Sequence, residues 1–189
     1  MNALVTTQPQ KQQFSAVPAT AAHQLDQHQY LTFMLGGEVY AMGILAIKEI
    51  IEYGSLTAVP RMPGFIRGVI NLRGAVVPVI DLSARFGKAA TTVTRRTCIV
   101  IVEVASGQPD QQETQVVGVM VDAVNAVLEI PAADIEPPPS FGAHIRAAFM
   151  TGMGKVNGKF VILLNIQSVL SVDQMASLAG VASPEALTA

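Results

Sequence analysis

Residues 68–82, GVINLRGAVVPVIDL, have one good local solution, and it constrains the fold of the whole chain. Val69 and Ile70 precede a polar tip, Asn71-Leu72-Arg73-Gly74, and Val76, Val77, Val79 and Ile80 follow it. β-branched side chains suit a half-buried strand. Gly74 tolerates positive φ at no steric cost, so the chain reverses there and forms a β-hairpin. Pro78 lacks a donor, which predicts an edge or bulged strand. The tip holds Arg73 out to solvent, where a guanidinium cannot help a core. It is either idle or a contact.

The same pattern recurs along the chain. Residues 30–35 and 38–42 are strand-like runs around Gly36-Gly37, a good hairpin signal. Residues 44–51 fit either a short helical turn or a strand. Residues 56–60 read as a further strand, and 64–67 as a short helical turn between Pro63 and the hairpin. Strands are expected at 98–104 and 115–121 around a polar loop, 106–113, and at 125–130 before the Pro137-Pro138-Pro139 run. A last hairpin, 150–156 and 159–164, turns on Asn157-Gly158, the strongest short hairpin signal. Ser171 and Gln174 resemble a capping box, and Gly180 fits a helix stop, which predicts a short helix over 172–179. Residues 1–28, rich in Gln, Thr, Ala and Pro, read as a tail. About ten short strands separated by turns predict an all-β barrel or sandwich with short helices rather than βαβ units.

Composition fits a β core and narrows the function. The chain has 189 residues, half of them hydrophobic and 14% charged, enough for one domain or two intimately packed ones. The net charge of −2 argues against nonspecific nucleic-acid binding. Charge is unevenly placed. Residues 61–96 hold Arg61, Arg67, Arg73, Arg85, Lys88, Arg95 and Arg96 against Asp81 alone, whereas 97–140 carry acids and no Lys or Arg. This predicts either two different faces or mutual neutralisation across the fold. No signal peptide or membrane span is read, so a cytoplasmic protein is expected. Cys98, the single cysteine, lies in an apolar strand and is expected to be a buried, inert thiol.

No catalytic or ligand constellation stands out. His23, His28 and His144 lack metal-ligand spacing, and Gly152-Met153-Gly154 lies in a hairpin arm, not between strand and helix. Asp81 and Asp122 stand at strand ends without a His or Lys nearby in sequence, where carboxylates usually cap turns. No enzyme, metal or cofactor is expected. Two rival readings are a small-molecule-binding barrel with Met34, Met42 and Met120 lining a pocket, and a hydrolase using Asp81 or Asp122.

Four stretches carry a family resemblance: YLTFMLGGEVYAMGILAIKEI (30–50), PGFIRGVINLRGAVVPVIDL (63–82), VVGVMVDAVNAVLEI (116–130) and TGMGKVNGKFVILLNI (151–166). In this order and spacing, over nearly all of 29–172, the chain resembles the CheW-like domains of bacterial chemotaxis coupling proteins. The resemblance implies two SH3-like five-stranded β-barrel subdomains sharing a core. It implies an adaptor without activity of its own, which binds the regulatory domain of the histidine kinase CheA and the cytoplasmic tip of methyl-accepting chemoreceptors. Receptor binding would map to Glu49, Arg73, Ile44 and Val127, with Glu49 and Arg73 able to pair. Kinase binding would map to Ile47, Gly68 and Thr97. Related adaptors serve twitching motility and other chemosensory pathways, which the resemblance leaves open. A fused phosphoacceptor domain or a kinase fragment is not expected, since no such motifs are read.

Overall fold

The computed structural model describes residues 28–105, 114–140 and 145–171. The expected helix over 172–179, the loop 106–113 and all of the expected tail except residue 28 lie outside them. The described chain forms eleven strands in two sheets. β1 (Gln29–Leu35), β2 (Glu38–Gly43), β8 (Ala123–Glu129), β9 (Ile135–Glu136), β10 (Met150–Val156) and β11 (Lys159–Leu164) make one, in the order β8-β1-β2-β11-β10-β9. β3 (Ile47–Glu52), β4 (Ile66–Leu72), β5 (Ala75–Asp81), β6 (Cys98–Ala105) and β7 (Thr114–Val121) make the other, in the order β3-β6-β7-β5-β4. Two four-residue helices, α1 (Leu82–Arg85) and α2 (Ile166–Val169), follow β5 and β11. The all-β fold with two SH3-like subdomains is as expected. The six-stranded sheet exceeds five strands by the two-residue β9.

Each sheet buries both faces, and this is why its central strands read as unbroken apolar runs. In β6, Val100, Val102 and Val104 point into a core shared by both sheets, with Leu31, Phe33 and Met42 of β1 and β2. The alternate residues Ile99 and Ile101 join Val77, Val79 and Met120 in a separate core belonging to the five-stranded sheet. Ala41, Val161, Leu163 and Ile130 form the equivalent small core of the six-stranded sheet. Two parallel pairings complete the sheets, β5 with β7 and β11 with β2.

Several local expectations are corrected. Residues 44–51 are both alternatives in series: a 3-10 turn at Ile44–Ala46, then β3. Residues 56–60 form no strand; only Thr57 bridges, to Val69. Of 64–67, only Gly64 and Phe65 turn, with Ile66 N–H donating to the Pro63 carbonyl at 2.9 Å, and β4 begins at Ile66. Pro78 lies on an inner strand rather than an edge; a bulge interrupts the facing strand β4 between Ile66 and Gly68, and the β5–β7 register begins one residue after Pro78, at Val79. Cys98 is half-buried rather than buried, and its Sγ approaches the Arg96 carbonyl at 3.3 Å.

Candidate docking site

The β4–β5 hairpin turns on two residues, both with positive φ: Arg73 at 53° and Gly74 at 90°. Gly36-Gly37 and Asn157-Gly158 make the same kind of turn with residue types suited to it. Arg73 is the exception. An L-residue other than Gly, Asn or Asp in the left-handed region costs about 1–2 kcal/mol, and nothing in the hairpin requires a long cation there. The turn is otherwise well made, since Gly74 N–H donates to Asn71 Oδ1 at 2.9 Å. The Arg73 side chain is 80% exposed and its Nη2 donates to Glu49 Oε2 at 2.9 Å.

Glu49 reaches this partner from an edge strand. β3 pairs with β6 through a bulge between Ile47 and Glu49, so that Ile47 faces Val102 and Glu49 faces the adjacent Ile101. A bulge re-aims side chains locally. Lys48, the extra residue, pairs with Glu103 at 3.1 Å. An exposed ion pair contributes only about 0–1 kcal/mol to a fold, so Glu49–Arg73 does not offset the strain at Arg73.

The other expected contacts are distributed as follows. Ile44 is half-buried against the shared core, and its neighbour Leu45 is the outward residue, 59% exposed. Leu45 lines a groove of about 390 Å³ with Tyr30, Ala46, Val104, Ile166 and Gln167, where the two sheets meet. Sequence reading missed Leu45 because the 3-10 turn is out of phase with both helix and strand periodicity. Val127 is 53% exposed on β8, on the other sheet from Glu49 and Arg73.

Ile47, Gly68 and Thr97 all belong to the five-stranded sheet or its approach. Ile47 is half-buried against the shared core. Gly68 is buried, and Thr97 is 2% exposed, with its Oγ1 accepting from Thr94 N–H at 2.8 Å. The last two shape this surface from beneath it.

The carboxylates of the hydrolase reading hold loops. Asp81 is fully buried; Oδ1 accepts from Ser83 N–H (3.0 Å), Ala84 N–H (3.3 Å) and Thr91 Oγ1 (3.0 Å), and Oδ2 from Thr91 N–H (2.8 Å). It thereby caps α1 and ties down the segment after it. Asp81→Asn presents an amide N–H₂ to these donors and is expected to cost about 2–3 kcal/mol, read as a lowered urea midpoint. An unchanged midpoint would refute this assignment. Asp122 Oδ2 accepts from Gly36 N–H at 2.7 Å, bracing the β1–β2 turn. Of the methionines in the barrel reading, Met42 and Met120 fill different cores and share no pocket.

Among the described residues the ion pairs are Lys48–Glu103, Arg67–Asp81, Arg73–Glu49, Lys88–Glu38 and Lys155–Glu136. Both segments find part of their counter-charges elsewhere: Arg73 and Lys88 meet Glu49 and Glu38, and Glu103 and Glu136 meet Lys48 and Lys155.

Residues 29–174 match the family model for the CheW-like domain. This chain belongs to the CheW-like domain family. It is 36% identical over 154 residues to the chemotaxis protein CheW of Klebsiella aerogenes, covering 82% of this chain and 88% of that protein. It is 30% identical over 163 residues to the protein FrzA of Myxococcus xanthus, covering 85% and 96% respectively. In structure it matches the scaffolding protein TtCheW of Thermoanaerobacter tengcongensis with a TM-score of 0.68 and 32% identity, over 87% of this chain and 96% of that one. The CheW-like match spans both sheets, so the Glu49–Arg73 pair and the Leu45 groove both lie within the family domain.

Proposed function

We propose that the chain is a noncatalytic adaptor of bacterial chemotaxis that couples chemoreceptors to the histidine kinase CheA. The Glu49–Arg73 pair and the groove beside Leu45 receive the cytoplasmic tip of a methyl-accepting chemoreceptor, with Ile44 shaping the groove and Val127 adding an apolar contact. The five-stranded sheet around Ile47 receives the regulatory domain of CheA, with Gly68 and Thr97 setting the local backbone. Bridging the two builds the signalling array and places the kinase under receptor control. The adaptor works in the cytoplasm and reaches the membrane through its partners; no helix among the described residues is long and apolar enough to cross one.

The observation that carries this reading is the backbone of Arg73. A residue held at φ 53°, with only an exposed ion pair in return, is accounted for by a contact made outside the fold. Two separate docking faces also suit an array, where modest affinity at each adds through effective concentration.

Pull-down of the purified chain with a receptor tip and with the CheA regulatory domain, each alone, tests the reading. Binding to neither would end it. Ile47→Asp is expected to weaken kinase binding by about tenfold or more, because it places a carboxylate in an apolar contact. Receptor binding should change less, and an equal loss of both would indicate misfolding. The likeness to FrzA favours a second reading, an adaptor of the same design in another chemosensory pathway. Rescue of a chemotaxis strain lacking its own adaptor distinguishes the two.

A further inference from the structure

The turn that leads into β6 displays two adjacent cations, Arg95 and Arg96, both exposed. The flanking threonines build this turn. Thr94 N–H donates to Thr97 Oγ1 at 2.8 Å, Arg96 N–H to Thr94 Oγ1 at 3.1 Å, and Thr97 N–H to the Thr94 carbonyl at 3.2 Å. Hydroxyls outside the central pair thus satisfy the backbone, and Gly, Asn or Asp would serve at the centre. The fold asks nothing of the side chains at 95 and 96. Neither forms an ion pair with a described residue, whereas Lys48, Arg73, Lys88 and Lys155 each meet an acid.

The turn adjoins the surface around Ile47. Tyr53 N–H, just past β3, donates to the Thr97 carbonyl at 3.1 Å. Along β3, Ile47, Ile50 and Glu52 face Val102, Val100 and Cys98 of β6, and alternate residues of a strand share one face. This strip therefore runs from Ile47 to the base of the turn. Ile50 is 43% exposed on it, and Val93, just before the turn, is 44% exposed. Glu52 lies on the strip but forms no ion pair with either arginine. Two cations held side by side on a hydrogen-bonded turn repel each other. An acidic partner turns that repulsion into attraction, and guanidinium forks match carboxylates in geometry. Two charges on a chain of net charge −2 are too few to hold a nucleic acid or an anionic bilayer. An acidic protein surface with apolar neighbours fits.

We propose that the Arg95-Arg96 turn receives an acidic surface of the kinase regulatory domain, with carboxylates at the two guanidinium groups and apolar neighbours against Ile50 and Val93. The proposal rests on the reading that the sheet around Ile47 receives that domain. It adds the element that selects the kinase by charge, since complementary charges speed encounter and reject partners that lack the acids.

The test measures binding of the full chain to the purified CheA regulatory domain by surface plasmon resonance, from about 50 to about 500 mM NaCl. Arg95→Glu combined with Arg96→Glu is expected to lower affinity about tenfold or more at low salt, chiefly through the association rate, and to flatten the salt dependence. Arg95→Lys combined with Arg96→Lys should lose less, because the charges stay and only the forked geometry goes. Melting temperature and binding of the receptor tip should match the unaltered chain in both variants. The proposal is overturned if the Glu variant binds the kinase domain within about twofold of the unaltered chain, as for solvated arginines. It is equally overturned if the Lys variant loses as much as the Glu variant, if kinase and receptor binding fall together, or if receptor binding alone falls. Ile47→Asp in the same assay separates the two claims. Weakened binding there, with the Glu variant unaffected, leaves the kinase reading standing and removes the turn from it. An unaltered chain that does not bind the kinase domain ends both.

Discussion

Glu49→Lys is expected to abolish receptor control of the kinase while leaving the fold intact. The substitution replaces an attraction with a like-charge contact beside Arg73, at a position where the pair contributes only about 0–1 kcal/mol. The melting temperature should therefore fall by no more than a few degrees. Receptor binding should fall by at least about tenfold, since charge-paired recognition typically loses 2 kcal/mol or more when one partner is reversed. Arg73→Gly gives a companion result of opposite sign on the two readouts. Glycine relieves the left-handed strain at φ 53° and should stabilise the chain by about 1 kcal/mol, yet it removes the guanidinium and with it the coupling. Urea titration beside a receptor-coupled kinase assay reads both quantities. Native coupling in either variant would remove the pair from the docking site. A loss of stability in Arg73→Gly would show that the turn is unstrained.

What could be read from the sequence follows the range of the forces involved. The three tight hairpins were legible because Gly-Gly, Arg-Gly and Asn-Gly place glycine where both turn residues need positive φ. The run at 98–104 was legible as a strand because β-branched residues continue through it. The same continuity hid which face met which core, since Val100 and Ile101 look alike and enter different cores. The strand expected at 56–60 failed because its apolar residues lack a ladder partner: Thr57 alone meets Val69. The parallel closures β5–β7 and β2–β11 join distant segments and leave no local signature.

The docking site was legible in part. Glu49 and Arg73 could be named from the family motifs, but not the bulge that aims one or the strained backbone that carries the other. Leu45 escaped because its exposure depends on a three-residue 3-10 turn.

Gly68→Ala is expected to be the most destabilising single change on the proposed kinase face. Gly68 has φ 144°, in a region that L side chains rarely adopt, and the strain of forcing one there is about 1–3 kcal/mol. A Cβ would also collide with the Thr57 carbonyl oxygen. That oxygen cannot simply retreat, because it accepts from Val69 N–H at 2.9 Å while Thr57 N–H donates to Val69 at 2.9 Å. Among the described residues this bridge is the only backbone pairing of residues 54–63 with the sheet, so yielding would leave the segment held chiefly by the packing of Leu56. Strain and collision together should cost at least about 3 kcal/mol, a large part of the 5–15 kcal/mol typical of a domain. Urea denaturation and kinase pull-down should then fail together, with receptor binding reduced in proportion to the unfolded fraction. Ile47→Asp supplies a graded contrast: its half-buried side chain packs against the shared core, so some stability is lost, but kinase binding should fall by more than the unfolded fraction accounts for. If Gly68→Ala instead keeps its stability and loses only kinase binding, Gly68 meets the partner directly and the close approach of Thr57 is not what requires it.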